Sequence, residues 1–347
     1  MPTIQDVATT AGVSKSTVSH VVNGTRFVAP ATAGRVRAAI EALGYHPNSL
    51  ARSLRRRVTH TIGLLVPDNA NPYFAEVARA IEDAGFAEGY SVVLCNSDLS
   101  PEKQAAYIDV LLAKRVDGLI IVSAGLIPSA DRPSPIRPVL DAGVPCVIID
   151  SDLDNLAVDQ VLVDNEHGGW LAGTHLTGLG HRCIACLVGP NDLTPSAGRI
   201  AGIRRALADV EIALEPQAIV SGNGRSDGGE AAVLELLRRG VRFTALFAFN
   251  DLMAIGALGA LRRAGRQVPQ EVSIVGFDDV PLAAAVYPAL TTVAQPIAEL
   301  GRRSVRLLLD RMEEPSAPFA RSILPVTLVE RESSAAPRPN VTSDGAT

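Results

Sequence analysis

From Thr61 onward the chain alternates short apolar runs with longer amphipathic stretches, and this alternation constrains the fold more than any other feature. Apolar strands rich in Val, Ile and Leu, separated by helices, are typical of parallel sheets whose two faces are both covered. The sequence therefore predicts an α/β body that binds ligands at the carboxyl ends of its strands. The predicted strands are 62–66, 91–95, 118–122, 146–150, 161–163, 184–188, 218–220, 245–248 and 273–277.

The body is too long for one core. About 280 residues exceed the size at which a single hydrophobic core is stable, and the series of strands restarts near Leu162. Two similar lobes are therefore expected. The helices predicted between the strands are 73–88, 102–114, 168–179, 198–207, 229–239 and 252–264.

The first 60 residues differ from the body in charge. They contain eight Lys or Arg and only two acids, a net charge of +6, which leaves −11 for residues 61–347 of a chain at −5. A basic segment on an acidic body is typical of a chain that contacts a polyanion.

The basic segment contains three short helical patterns. Thr3 and Asp6 are spaced to cap a first helix, Ser14 begins a second at 15–22, and 30–43 has the apolar spacing of a third. Two short helices joined by a tight turn indicate a helix-turn-helix. A generic three-helix cap with solvated charges would show the same periodicity.

Four stretches of the head resemble the LacI/GalR family of bacterial transcription regulators: 3–8, 11–14, 16–23 and 50–54. The resemblance continues in register through most of the chain. It implies an N-terminal all-α helix-turn-helix headpiece and an α/β periplasmic-binding-protein-like core of two doubly wound parallel-sheet lobes. The implied divisions are a headpiece at 1–48, a hinge helix and linker at 49–60, a first lobe at 61–161 and 293–321, a second lobe at 162–292 and 322–332, and a disordered tail at 333–347.

The resemblance also assigns residues to DNA. Side chains at the start of the second helix would reach base edges in a major groove, while Arg26 would reach phosphate or a neighbouring base. In the family the hinge presses an apolar wedge, here Leu54, into the minor groove. The alternative for the hinge is a solvated linker whose leucines pack on the body. The DNA-binding set is Thr3, Lys15, Ser16, Thr17, Ser19, His20, Arg26, Ala51, Leu54 and Arg55.

Polar side chains that follow apolar strands suggest the ligand site. They match, position by position, the sugar-binding residues of the ribose repressor branch and of ribose-binding proteins. Each has a simpler alternative: Asp251 and Asp278 could cap helices, and Arg199 could pair with a surface acid. The ligand-binding set is Asn71, Tyr73, Phe74, Arg199, Asn250, Asp278 and Gln295.

Two differences between this sequence and the proteins it resembles leave the identity of the ligand open. Gly224 stands where both the ribose and the purine branches carry an aromatic platform, and 123–125 lacks the Asp-Arg pair of periplasmic sugar-binding proteins. Ribose is the favoured ligand, and a purine or another sugar is the alternative.

The sequence gives little support for a disulfide, a metal site, a cofactor site or a catalytic site. Cys183 and Cys186 fall on one predicted strand, too far apart for a disulfide, and are expected to be buried thiols. His167, His175 and His181 lack matching carboxylates for a metal site. Neither a cofactor nor a catalytic motif is predicted, so we expect no enzyme.

The remaining predictions concern location and assembly. The chain shows no leader and no apolar stretch of membrane-spanning length, so a cytoplasmic protein without membrane contact is expected. The tail has no leucine heptads, which favours a homodimer over a tetramer. The sequence thus predicts a repressor that binds operator DNA under control of a small ligand, and the alternative is a sugar-binding or sugar-processing protein that does not bind DNA.

Overall fold

The structure is a computed structural model of the 347-residue chain. It describes residues 2–45, 58–122, 134–151, 153, 156–189 and 194–338. The chain divides into two compact units, Met1–Thr59 and His60–Thr347, which are considered separately. Within the described residues, no helix combines the length and the apolar character needed to span a bilayer.

The head is a three-helix unit, as predicted. Its helices are α1 (Ile4–Ala11), α2 (Lys15–Asn23) and α3 (Pro30–Leu43), and each ends at a glycine in the left-handed conformation. The predicted cap at Thr3 is a full capping box, because Thr3 and Asp6 satisfy each other's backbone amides. Small apolar residues from all three helices form the core: Val7, Ala8, Ala11, Val18, Val36 and Ala39.

The first lobe of the body is a parallel six-stranded sheet with helices on both faces. Its strand order is β11-β5-β4-β3-β1-β2. The strands are β1 (Thr61–Val66), β2 (Ser91–Asn96), β3 (Gly118–Val122), β4 (Cys146–Ile149), β5 (Asp159–Val163) and β11 (Arg321–Leu324). The helices are α4 (Pro72–Ala87), α5 (Pro101–Ala113), α6 (Arg137–Asp141) and α12 (Ile297–Glu313).

The second lobe repeats this plan with the order β12-β10-β9-β8-β6-β7. Its edge strand β12 pairs antiparallel with β10, and the other pairs are parallel. The strands are β6 (Ile184–Val188), β7 (Ile219–Ser221), β8 (Ala245–Ala248), β9 (Ser273–Asp278), β10 (Thr291–Ala294) and β12 (Thr327–Val329). The helices are α7 (Asn165–Gly178), α8 (Thr194–Ala208), α9 (Ser226–Arg238), α10 (Asp251–Arg263) and α11 (Pro281–Ala285), and a 3₁₀ turn spans Pro216–Ala218.

The lobe boundaries lie two or three residues later than predicted. In the first sheet, β5 stays paired as far as Val163 and β11 as far as Leu324. In the second sheet, β10 stays paired as far as Ala294. The predicted breaks at 162, 293 and 322 are therefore wrong, because these crossover segments pair as strands before they leave their sheet. Helix α12 lies within the segment 293–321 that was expected in the first lobe, and it packs on α4 of that lobe.

The first residues of the predicted disordered tail are ordered. Ser333 is fully buried, and its hydroxyl donates to Ile274 O and accepts from Thr291 N. Ala335 O accepts from the ring of His181. A polar composition at 333–338 therefore did not mean disorder, because these residues complete hydrogen bonds at the edge of the second sheet. The rest of the tail, 339–347, lies outside the described residues.

Candidate functional site

On the head, the predicted DNA-reading side chains share one short helix and the loop after it. Lys15 and Ser16 are exposed, and Thr17, Ser19 and His20 are half-buried. Arg26 is exposed beyond the end of α2. Among the described residues of the head, neither Lys15 nor Arg26 forms an ion pair, so both charges are available to a polyanion.

Several polar groups of this set already have partners within the head. The Ser14 hydroxyl lies 2.7 Å from the Ser16 hydroxyl and 2.8 Å from the Thr17 hydroxyl. The His20 ring lies 2.9 Å from Thr25 Oγ1. The side chain of Thr3 is occupied by its capping box. These residues can still donate or accept second bonds, but among the predicted base-reading residues Lys15 has the side chain with the fewest contacts inside the head. Ala51, Leu54 and Arg55 lie outside the described residues.

In the body, a cleft opens at the carboxyl ends of both sheets, where the predicted ligand residues converge. Asn71 and Tyr73 follow β1, Asn250 follows β8, and Asp278 ends β9. The space that they enclose is about 70 Å³. Its walls are formed by Asp68, Asn71, Tyr73, Phe74, Leu99, Asp150, Ser151, Pro195, Arg199, Asn223, Gly224, Arg225, Phe249, Asn250 and Asp278. Gln295, the other predicted member, lies behind this wall, bonded to Tyr73 and Asp278.

Arg199 is fixed in the second lobe from several sides. Its Nε donates to Asn165 Oδ1 at 2.8 Å and its Nη1 to the carbonyl of Phe249. The guanidinium lies over the ring of Phe277 at 3.6 Å and over that of Phe249 at 4.5 Å. A planar cation held in this way presents a rigid donor surface to the cleft.

Close packing of α7 against α8 places Arg199 at this position. A Cβ at Gly169 would overlap the carbonyl oxygen of Arg199, and a Cβ at Gly202 would overlap that of Glu166. Both glycines are therefore required for the close approach of the two helices. Any larger residue at Gly169 would displace the backbone that carries Arg199.

A chain of hydrogen bonds runs from the first lobe to the second. The Tyr73 hydroxyl lies 3.1 Å from Asp150 Oδ2 and 3.0 Å from Gln295 Oε1. Gln295 Nε2 in turn donates to Asp278 Oδ1 at 2.7 Å. Gln295 stands on the crossover after β10, so this chain couples the cleft walls to a connection between the lobes.

Three acids of the cleft region are buried, and this changes their protonation. Burial raises the pKa of Asp150 even though Arg199 and Tyr73 oppose the shift. Burial also raises the pKa of Asp278 to about 7, against the opposing effect of Arg199 3.8 Å away. The pKa of Asp251 is raised by burial and then by the charge of Asp278. Of these three acids, Asp278 therefore gains or loses a proton near neutral pH, and the pKa values of the other two are raised as well.

The two asparagines occupy equivalent positions in the two lobes. Asn71 Oδ1 accepts the amide of Tyr73 at the start of α4, and Asn250 Oδ1 accepts that of Met253 at the start of α10. Asn250 Nδ2 also donates to Gly224 O at 2.9 Å. Both amide oxygens are thus used as helix caps, which leaves their amide nitrogens as the groups that can turn to a ligand.

The simpler alternatives for the acids do not hold. Asp251 caps no helix: its carboxylate accepts from Val280 N and Thr292 Oγ1 inside the second lobe. Arg199 faces the buried Asp278 rather than a surface acid. The structure thus brings all seven predicted residues to one region, although Tyr73 and Gln295 act mainly through their bonds to other side chains.

Sequence reasoning missed several cleft residues, among them Asp68, Asp150, Arg225 and Phe249. Asp68 and Asp150 follow apolar strands, the same signal that identified Asp278, and could have been found in that way. Phe249 was treated as part of a strand. Arg225 carried no signal, since its partners in the first lobe are more than a hundred residues away.

The cysteines and three of the histidines lie outside the cleft, and the contacts of these histidines are with neighbouring protein groups. Cys95, Cys146 and Cys186 are buried, but Cys183 is exposed because it precedes β6, so the prediction of a buried thiol there is wrong. His175 bonds to Ser334, and His181 lies between Thr244 and Ser273. His167 stacks on Trp170.

Comparison with known families agrees with this geometry. Residues 3–48 match the profile of bacterial regulatory proteins of the lacI family, and residues 174–334 match a periplasmic binding protein-like domain. A relative from Aliivibrio fischeri, the HTH-type transcriptional repressor PurR, is 39% identical over 318 residues, which are 90% of this chain and 93% of that protein.

Solved structures extend the likeness to nearly the full chain. A lac repressor dimer bound to operator and the anti-inducer ONPF superposes with a TM-score of 0.86 at 32% identity, over 96% of this chain and 99% of that one. A LacI family regulator from Enterococcus faecium with bound ribose gives a TM-score of 0.70 at 35% identity, over 80% of this chain and 99% of that one. The chain therefore belongs to the LacI family of bacterial transcriptional regulators.

Proposed function

We propose that this regulator is a repressor whose affinity for operator DNA is set by a small, uncharged sugar, ribose being the first candidate, bound in the cleft. The observation that supports this most is the convergence of Arg199, Asp278 and Asn250 from one lobe with Asn71 and Phe74 from the other. A rigid guanidinium, a carboxylate and amides suit vicinal hydroxyls, and Phe74 offers an apolar face.

The charge of the cleft wall argues against a phosphorylated effector. Among the described residues of the wall, Asp68, Asp150 and Asp278 face two arginines, Arg199 and Arg225. Asp150 Oδ1 is buried and has no hydrogen-bond partner among the described residues, which suits a ligand hydroxyl donor. A phosphate would meet these carboxylates at close range and be repelled.

A purine base is the second candidate effector. It is favoured by the relatives named PurR, and Phe74 could stack on one face of a base. The opposite wall argues against it, because Gly224 provides no ring and the Phe249 ring is already covered by Arg199. A calorimetric screen of the full-length protein with D-ribose, D-ribose 5-phosphate, guanine and hypoxanthine separates the candidates. We expect binding of ribose alone; binding of a base without ribose would assign the site to purines.

On the head, we assign base reading to Lys15, Ser16 and Thr17, and backbone contact to Ser19, His20 and Arg26. The resemblance adds Thr3, Ala51, Leu54 and Arg55, with Leu54 as the minor-groove wedge. Leu54→Ala should weaken operator binding and leave effector affinity unchanged, as measured by fluorescence anisotropy and calorimetry. Unchanged operator affinity would remove Leu54 from this role.

We further propose that the active species is a homodimer, as two heads are needed for a near-palindromic operator. Sedimentation equilibrium of the full chain should give twice the 36.4 kDa of one chain. A monomer at micromolar concentration would contradict this proposal, and a tetramer would contradict the inference from the missing heptads.

A further inference from the structure

A single arginine joins the two lobes across the mouth of the cleft. Arg225, the residue before α9 in the second lobe, donates from Nε to Asp68 Oδ2 at 2.8 Å and from Nη2 to Asp98 Oδ1 at 3.2 Å. Asp68 follows β1 and Asp98 follows β2, so both carboxylates belong to the first lobe. One guanidinium is therefore shared by two acids of the opposite lobe.

Asp68 and Arg225 are each held by a hydrogen bond within their own lobe, in addition to the bridge. Asp68 is 5% exposed, and its Oδ1 accepts the amide of Ala70 at 3.1 Å. On the other side, the backbone amide of Arg225 donates to Asn223 Oδ1 at 2.9 Å. The contact thus joins a fixed buried carboxylate to a fixed turn, which a chance surface pair between flexible side chains would not do.

The bridge lies beside Gly224, a position where the cleft wall has no side chain. Gly224 has a φ of +79°, and a Cβ there would come no nearer than 4.0 Å to another atom, the Asn250 amide nitrogen. The neighbouring Arg225 and its partner Asp68 both line the cleft. The Arg225–Asp68 ion pair is therefore part of the cleft wall.

We propose that Arg225 is a positioning residue that sets the closed spacing of the lobes through its bridge to Asp68 and Asp98. The bridge then holds the two lobes closed around the effector. It is formed by protein side chains alone and does not require the effector's own hydrogen bonds. The identity of the effector rests on the proposed function, but the bridge does not. Because side chains of Arg225 and Asp98 are 46% and 57% exposed, the closed spacing should respond to salt.

The test of the bridge uses no ligand. A fluorophore pair on the exposed Cys183 of the second lobe and on a cysteine introduced at the exposed Glu88 of the first reports the separation of the lobes by single-molecule energy transfer. Labelled full-length chains are diluted with unlabelled protein so that pairs within one chain dominate. We expect a high-transfer population in the parent protein that decreases in Arg225→Gln and persists in Arg225→Lys.

Matched variants separate the bridge from general loss of stability. Asp98→Asn removes one of the two contacts of Arg225 and should give part of the Arg225→Gln effect. It should add little in the double variant, because Arg225→Gln has already removed the contact with Asp98. Arg263→Gln removes an exposed pair with Glu230 inside the second lobe and should leave the transfer unchanged. High salt should shift the parent toward the Arg225→Gln distribution. Identical distributions for the parent and Arg225→Gln would overturn the proposal.

A binding measurement then links the bridge to the effector. With D-ribose as the probe, Arg225→Gln should bind about two- to fivefold more weakly than the parent, the range for an exposed ion pair, and Arg225→Lys should recover most of the loss. Energy transfer that shifts as expected without any ribose binding would uphold the bridge and reject ribose. An unshifted distribution rejects the bridge whatever the effector is.

Discussion

The head and the cleft present their binding side chains in opposite ways. On the head, Lys15 and Arg26 extend into solvent from a small three-helix unit, and each can reach DNA with little effect on its neighbours. In the cleft, Arg199 and Asp278 are each 3% exposed and are held by other side chains. DNA contacts on the head should therefore be lost one at a time, whereas loss of one cleft residue should disturb the whole network.

The largest effect is expected from Arg199→Ala. It leaves Asp278 buried without its cation, and loss of one partner of a buried pair costs on the order of 3–5 kcal/mol. We expect D-ribose affinity measured by calorimetry to fall at least ~100-fold, with DNA binding retained. Arg205→Ala is the matched control, since Arg205 lies on the same helix in an exposed pair with Glu166. Equal ribose affinity in the two variants would show that the cleft does not act as a network.

A smaller and more selective effect is expected on the head. Lys15→Ala should cost about 1–3 kcal/mol at one base position and relax specificity there, whereas Arg26→Ala should weaken all sites alike and lower the salt slope by about 1. Binding to a set of single-base operator variants at two salt concentrations measures both. The assignment of the two roles would be reversed if Arg26→Ala changed the base preference and Lys15→Ala did not.

The raised pKa of Asp278 predicts opposite pH trends for stability and for binding. Because burial lifts this pKa from its ordinary 3.8 to about 7, the folded state binds more protons across that window, and the free energy of unfolding should fall as pH rises through it. Effector affinity should rise around pH 7, the upper end of this window, where the carboxylate of the folded protein ionises. Both trends should flatten in Asp278→Asn and persist in Asp310→Asn, as followed by denaturant unfolding and calorimetry. A trend that persists unchanged in Asp278→Asn would assign it to another group.

The smallest expected effects are on the stability of the head and of the body against unfolding. Gly224→Ala places a side chain at a positive φ and should destabilise the body by about 1 kcal/mol. Gly34→Ala, in the middle of α3 with open space around it, should stabilise the head by about 0.5–1 kcal/mol. Thermal unfolding of each variant measures both signs. A stable Gly224→Ala would mean that this turn adapts, and that an aromatic platform could be restored there.

The regular elements could be predicted because apolar periodicity reports directly on burial. The strands that were missed, β10, β11 and β12, are only three or four residues long and carry polar side chains such as Thr291, Thr292 and Arg321. β11 and β12 pair at sheet edges and β10 pairs between β12 and β9, and local sequence does not encode these positions. The order of residues 333–338 depends in the same way on bonds to distant strands.

The cleft could be predicted only in part, for a related reason. Polar residues at strand ends identify which side chains converge, and this located Asn250 and Asp278. Which of them bond to one another depends on distances between lobes. The bridge of Arg225 to Asp68 spans 157 residues of sequence, so it could be found only in three dimensions.

The central claim is that a ligand in the cleft changes the affinity of the head for DNA. The direct test is fluorescence anisotropy with an operator selected from random DNA by the purified protein, measured with and without saturating D-ribose in the parent and in Asp278→Asn. We predict that ribose changes the operator Kd of the parent by about 5- to 150-fold and leaves that of the variant unchanged. An operator Kd in the parent that is the same without ligand, with ribose and with guanine or hypoxanthine would contradict the account.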